Sequence, residues 1–440
     1  MNQAAVLDVR AFINDRKMSA YQWLLVGLCF LIVAVDGMDV AIMGFVAPSI
    51  LAEWGIAKPA FGIVMGAAPI GLAIGALLAG SSSDWFGRRK VLLGSVLTFG
   101  LATLATAHAG NLQSMTALRF LTGLALGAAM PNASTLMAEY VPERIRSTVI
   151  AAMFTGFNLG SAAIGFVAAY LTPRFGWQSV LTFGGVLPLL LLPVLFVLLP
   201  ESARYLVVRN APAERVRRVL SRVSRSSLEQ VQRFELQEAP VAAKQPLAVL
   251  FSRGYGVRTL CLWLTYFMGL LVIYLSTSWL PTMMKDAGLG IDRASTLTAM
   301  FQLGGTLGGL LVGVAMDRAG ASRVISLSYL LGGGALLLFA MTGLTSPWIV
   351  PVILLTGFCL SGAQTGLNAY APGCYPTIAR ATGVSWMLGV GRFGSILGSS
   401  IGGLLLSLGW GFQSIFLTLA VPASIAALAI LGSRNRDTTV

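Results

Sequence analysis

The chain has 440 residues; 56% are hydrophobic, only 11% are charged, and mean hydropathy is +0.79. A soluble domain carries about 25% charged residues, so this composition excludes a largely water-facing surface. The formal net charge of +13 raises nucleic-acid binding, but the placement of the basic residues argues for topology instead.

The first 22 residues are polar and of mixed charge, without the apolar core and small-residue cleavage site of a signal peptide. Twelve apolar runs follow, near 23–50, 60–80, 90–109, 114–138, 148–170, 178–199, 256–281, 294–316, 323–343, 347–371, 383–405 and 411–432. Each is long enough to cross a bilayer as a helix. The expected fold is an all-α polytopic membrane protein with twelve transmembrane helices. Residues 1–199 would form one six-helix bundle and 256–440 a second, with 200–255 as a linker between them.

Within the linker, ERVRRVLSRVSRSSLEQVQRFELQE places Val216, Leu220 and Val223 at helical spacing, which predicts an amphipathic helix. It is expected either as a solvated connection or as a surface for membrane phospholipid. With an even number of spans, 24 of the 30 Lys and Arg fall on one side of the membrane and 4 on the other, while Arg119 and Arg392 fall inside spans. The positive-inside rule then puts both termini in the cytoplasm. No nucleic-acid partner is expected.

The halves repeat. GSSSDWFG (Gly80, Asp84, Gly87) and GVAMDRAG (Gly313, Asp317, Gly320) share G-x3-D-x2-G at an offset of 233 residues. Pro142 and Arg146 match Pro376 and Arg380, NLGS at 158–161 matches RFGS at 392–395, and FGW at 175–177 matches LGW at 408–410. Four ordered matches imply two similar bundles about an axis normal to the membrane, with a site between them.

This arrangement resembles the major facilitator superfamily over essentially the whole chain, and PESARYLV at 200–207 resembles its acidic motif after the sixth span. DGMD followed by Gly44 resembles the first-span signature of the aromatic acid:proton symporters. So do RFLTGLALGAAMPNASTLMAEY, WLTYFMGLLVIYLSTSWLP and RATGVSWMLGVGRFGSILG. The resemblance implies import of a small aromatic carboxylate (4-hydroxybenzoate, protocatechuate or a similar acid) with protons, by alternating access. It implies a monomer, surrounded by lipid, in a bacterial inner membrane. There are departures: Ser81–Ser83 replace the usual Leu-Ala pair before the loop Asp, and Trp85 stands in place of an Arg that Arg318 keeps. The one histidine, His108, lies near the end of the third span, so no histidine relay can cross the membrane.

The intramembrane charges carry the chemistry. Asp36 lies 13 residues after Trp23, about 20 Å along a helix and close to the midplane. Asp39 is three residues on and shares its face. Ionised carboxylates at that depth cost at least about 2.5–3.5 kcal/mol each and mark pathways by default. Both are candidates for proton coupling, against the plainer role of holding a neighbouring helix. Arg392 offers a guanidinium fork to a substrate carboxylate, unless it is permanently paired with Asp36. Arg119 can snorkel to the outer edge, yet its R-x3-G-x3-G setting resembles the fourth-span motif of proton-coupled facilitators and makes it the second candidate. Tyr266, Tyr274, Trp386 and Phe154 could supply ring surfaces; Asn132, Asn158, Gln302, Gln364 and Asn368 could meet a ring hydroxyl.

By resemblance, Asp84 caps the eleventh helix near Arg380, and Arg88 or Arg89 approaches Glu139. Asp317 and Arg318 mirror this around the fifth helix. With Gly80, Gly87, Gly320 and Arg146 these form a cytoplasmic gate, holding the outward-facing state and breaking on inward opening. Cys29, Cys261, Cys359 and Cys374 show no metal or redox spacing, so neither metal nor cofactor is expected; protons are the coupling ion. GVGRFG (389–394) lacks the preceding strand of a dinucleotide fold, and NAS (132–134) lies within the fourth span. Proton-linked export and aromatic-acid sensing secondary to transport are the alternative functions. An enzyme is not expected, since no nucleophile–base set is present.

Overall fold

The structure, a computed structural model, describes residues 5–224, 228, 231–236, 250–252, 255–375 and 377–433. Among these residues twelve long helices cross the molecule: α1 (Ala20–Trp54), α2 (Lys58–Phe86), α3 (Arg88–Thr106), α4 (Leu112–Tyr140), α5 (Arg146–Phe175), α6 (Trp177–Leu198), α7 (Gly256–Asp286), α8 (Ile291–Ala319), α9 (Ala321–Met341), α10 (Ile349–Tyr370), α11 (Thr377–Ser407) and α12 (Phe412–Gly432). Among the described residues, eleven are apolar enough to span a membrane by length and composition. The twelfth, α4, carries Arg119, Asn132 and Glu139 and falls short on composition alone.

The glycines of the repeated motifs are turn residues. Gly87 and Gly320 each separate two antiparallel helices single-handedly, at φ 91° and 87°. Gly176 and Gly409, from the FGW and LGW repeats, sit at φ 78° and 82°. A side chain there would be strained, so the repeat preserves the reversals between spans.

Helix packing repeats in the same way. In the first six helices α2 packs on α4, α1 on α5 and α3 on α6; in the last six, α8 packs on α10, α7 on α11 and α9 on α12. Corresponding glycines make these contacts. Gly160 of α5 lies against the Ala34 carbonyl of α1, and Gly394 of α11, 234 residues later, lies against the Phe267 carbonyl of α7. Gly37 of α1 is pressed in turn on Phe157, and Gly398 of α11 on Leu271. Backbones that close leave no room for a Cβ, and close approach of this kind is what holds helices together in lipid.

The two bundles meet through α1–α7, α2–α11 and α5–α8. These contacts lie toward the end remote from the termini, called here the far end. Gly44 abuts the Thr277 carbonyl, Gly62 that of Ser400, and Gly165 the Ala299 side chain. Lys58 pairs with Asp286 at 2.5 Å, and Lys285 donates to the Pro48 carbonyl at 3.1 Å. Both interactions cross between bundles. The Lys58–Asp286 pair is about a third exposed, so its loss should change stability by no more than about 1 kcal/mol. Lys58→Ala is nevertheless expected to raise accessibility of the far end, because it removes an ion pair that ties the two bundles together there. Labelling of a cysteine introduced in place of Ser278, a buried position at the Gly44 contact, should become faster than in the same variant with Lys58 intact; an unchanged rate would show that the helix contacts alone close this end.

At the opposite end, strand β1 (Ala5–Asp8) pairs in parallel with β2 (Val231–Glu235). The linker forms a helix, Ala213–Ser224, that stops short of the strand, so the predicted continuous helix ends early. Its apolar face of Val216, Leu220 and Val223 is buried; Val216 and Leu220 join Val9, Phe12 and Ile13 of the N-terminal segment in one small core. That face meets protein rather than lipid. Arg10 holds Glu143 at 2.7 Å, and this hydrogen-bonded guanidinium keeps the Glu143 carboxyl below the usual range.

Candidate functional site

Asp36 and Asp39 share a face of α1 but differ in their partners. Asp39 is completely engaged. Arg119 of α4 donates to its Oδ1 at 3.1 Å and its Oδ2 at 2.8 Å, with a third bond to its carbonyl at 3.1 Å. Thr103 of α3 adds a hydroxyl donor to Oδ1 at 2.5 Å. Arg119 is 1% exposed. The snorkelling expectation is therefore corrected: α4 turns Arg119 inward, where a buried carboxylate outcompetes distant headgroups. In this conformation both terminal nitrogens of Arg119 are held by Asp39, while its Nε is buried without a hydrogen-bond partner among the described residues.

Asp36, 2% exposed, has a carboxylate oxygen, Oδ1, that is buried without a hydrogen-bond partner among the described residues. Across the bundle interface stands Arg392 of α11, half-buried and without an ion pair among the described residues. Its charge reaches Asp36, and the Tyr274 hydroxyl lies beside its guanidinium. Tyr266, one α7 turn from Leu270 and two from Tyr274, also feels Arg392 and faces the Gln364 and Asn368 amides of α10. Four elements, α1, α7, α10 and α11, thus converge on one polar site: an acid from one bundle, a base and two phenols from the other.

Burial along the Arg392 face of α11 shows how the site communicates with solvent. Ser385 and Gly389, toward the terminal end, are exposed, as is Asn368 at the end of α10, whereas Ser399 toward the far end is buried. The site is open on the side of the termini and shut on the other.

Other candidates are placed differently. Gln302 donates to Thr277 at 3.3 Å and keeps its Oε1 unpaired. Asn158 of α5 reaches the α8–α10 contact at Gly305 and Ser361. Asn132 is turned back on its own helix, donating to Ala128 at 2.7 Å, so it is no free anchor. Trp386 is a correction. It shares a stripe of α11 with Phe393, Leu397 and Leu404, all exposed, and stacks at 5.8 Å on Trp263, which Phe251 meets edge-on. That stripe faces away from Arg392, and its rings belong with the amphipathic aromatics of a membrane interface.

Among the gate residues, Arg88 lies 3.8 Å from Glu139, while the Arg89 guanidinium donates to the Phe196 carbonyl and the Arg89 backbone N–H to the Glu201 carboxylate. Both Arg88 and Glu139 belong to the first bundle, and they meet while the terminal end is open. Opening therefore does not require that pair to break, contrary to the expected gate. Arg146 pairs locally with Glu143 at 3.6 Å. Asp317, Arg318 and Arg380 are exposed. The side-chain surroundings of Gly80 and Asp84 lie outside the described residues. Sequence reasoning missed Thr103 and Tyr329, one hydroxyl among several in apolar spans, with no pattern to single them out.

Two helical bundles around a buried polar site, accessible from one side only, define a membrane solute carrier. The model of the Major Facilitator Superfamily matches residues 29–290 and 262–439, and the chain belongs to that superfamily. It is 54% identical over 429 residues to the gallate transporter of Pseudomonas putida, covering 98% of this chain and 95% of the relative. It is 51% identical over 426 residues to the 4-hydroxybenzoate transporter PcaK of Pseudomonas aeruginosa, covering 97% and 95%. Among solved structures, the inward open conformation of the xylose transporter XylE from E. coli matches with a TM-score of 0.74 at 16% identity, covering 95% of this chain and 98% of that one. At that identity the likeness concerns the fold.

Proposed function

We propose that the chain imports small hydroxylated aromatic carboxylates together with protons across the bacterial inner membrane, by alternating access, with both termini cytoplasmic. The observation that carries this reading is that Arg392, without an ion pair among the described residues, stands across the bundle interface from Asp36, whose Oδ1 is buried without a partner among them. The names of the relatives, which transport gallate and 4-hydroxybenzoate, supply the substrate class. The excess of basic residues on the open side supports the orientation, and makes the conformation inward-facing.

The geometry suggests a competition. A deprotonated Asp36 draws Arg392 toward itself and away from a ligand. Proton uptake neutralises Asp36 and frees the guanidinium fork for a carboxylate. Substrate anion and proton then cross as a neutral pair. An anion alone would enter against an interior-negative potential, at about 2.3 kcal/mol per charge per 100 mV. Asp39, Arg119 and Thr103 brace α1 against α4 and α3 throughout. The bundles move as bodies, with Lys58–Asp286 parting as the far end opens. The protein works as a monomer with no cofactor besides the proton.

Arg392→Ala tests the anion site. Loss of a charge-assisted hydrogen bond of about 1.5–3 kcal/mol weakens binding about 10–150-fold. Uptake of radiolabelled 4-hydroxybenzoate, gallate and benzoate by proteoliposomes, with and without an imposed pH gradient, should show KM rising by that factor for every acid. Retained affinity would move the carboxylate to another residue. No uptake of any aromatic acid by the parent protein would overturn the proposed substrate class.

A further inference from the structure

The hydrogen bond between α9 and α10 bears on how the site reads the substrate ring. Tyr329 is wholly buried, and its hydroxyl donates to Gln364 Oε1 at 2.6 Å. The other end of that amide, Nε2, is buried with no well-formed hydrogen bond among the described residues, the Tyr266 hydroxyl lying beside the amide. An unsatisfied buried donor of this kind calls for an explanation. It is not a loose side chain: a Cβ at Gly269 of α7 would strike both Gln364 Oε1 and the Tyr329 hydroxyl, so the pair is seated against the α7 backbone.

A glutamine amide can turn over and present either oxygen or nitrogen. Here the Tyr329 proton decides. In the observed orientation that proton and Oε1 satisfy each other, leaving only Nε2 for an external acceptor. Turned over, Nε2 would donate to the Tyr329 oxygen and Oε1 would accept from the Tyr266 hydroxyl, but the wholly buried Tyr329 proton would lose its acceptor. Orphaning that buried phenolic donor is costly in a low-dielectric setting. Gln364 is thereby held as a donor. Tyr266 stands between it and Arg392, with Asn368 one turn further along α10. A ligand whose carboxylate sits at Arg392 would extend its ring past Tyr266 toward that donor.

We propose that Tyr329 is a positioning residue that fixes Gln364 as a hydrogen-bond donor to a ring hydroxyl oxygen of the substrate, so that α9 and α10 distinguish hydroxylated from unhydroxylated aromatic carboxylates. This rests on the transport reading above and adds a determinant to it. The hydroxyl substituent is read through its lone pair, and an acid without one leaves Nε2 unmet.

Tyr329→Phe keeps the ring and removes the proton. In proteoliposomes its KM for 4-hydroxybenzoate should rise about 5–10-fold, the scale of one neutral hydrogen bond, while KM for benzoate and both maximal rates stay as in the parent. Gln364→Met, of similar volume and without a donor, should reproduce that selective loss, and the double variant should lose nothing more. Equal losses for both acids, unchanged KM values, or additive effects would each overturn the proposal. Should Tyr329→Phe fail to fold, a Gln364→Met protein that keeps the parent preference would do the same. Parent protein that moves neither acid refutes the transport reading itself, and this inference with it.

Discussion

Asp36→Asn is expected to abolish proton-driven accumulation while leaving the protein folded and able to exchange substrate across the membrane. Asparagine matches aspartic acid in shape and remains neutral at every pH, so it mimics the protonated carrier. Arg392 would then be permanently free to hold a carboxylate, and affinity should persist or improve. What disappears is the proton that must leave before the empty carrier returns. In vesicles with an imposed pH gradient, internal substrate should level with external substrate, whereas the parent concentrates it. Counterflow, in which labelled substrate exchanges for unlabelled, should continue at a rate near that of the parent. Accumulation at parent levels in Asp36→Asn would end the case for Asp36 as the proton site and return it to Asp39.

Asp39→Ala should fail in a different way. It leaves Arg119 charged, 1% exposed and stripped of its carboxylate partner. Removing one member of a buried ion pair costs about 3–5 kcal/mol, most of it the penalty on the charge left behind. The expected result is a lowered melting temperature in detergent and poor recovery from membranes, before any question of transport arises. The informative companion is Asp39→Leu with Arg119→Met, which removes both charges. That protein should regain most of the lost stability, since apolar replacement of a buried pair is often near neutral. If it also regains accumulation, the pair is a brace. If it folds but does not concentrate substrate, the Asp39–Arg119 pair takes part in coupling.

The twelve spans and their order were legible in the residues because lipid imposes one rule on every helix: about twenty apolar positions, then a turn. The repeated motifs were legible for the same reason that Gly87, Gly176, Gly320 and Gly409 carry them, a positive φ that other residues resist. Asp36, Asp39, Arg119 and Arg392 stood out as charges in apolar runs. Their partners did not. Spacing along α1 puts both carboxylates on one face, but whether that face meets Arg119 or Arg392 depends on how α4 and α11 are rotated in the bundle. Trp386 is expected to offer a ring surface, but six residues before Arg392 on a helix it points about 120° away. The N-terminal strand escaped notice because its partner, Val231–Glu235, lies more than two hundred residues distant and neither segment has a strand-like alternation strong enough to predict it.

The glycine contacts have a mechanical consequence. Asp36 rides on a helix whose neighbouring residue, Gly37, is jammed against Phe157, while Arg392 rides between Gly391 and Gly394, themselves flush against Tyr266 and the Phe267 carbonyl. Neither charge can slide along its own bundle without a backbone collision. The gap between carboxylate and guanidinium is therefore geared to the angle between the two bundles, and protonation at one end of that gap is felt as torque rather than as a local side-chain adjustment. A pair of spin labels on α1 and α11, away from the charges, would read that angle directly as pH and substrate are varied.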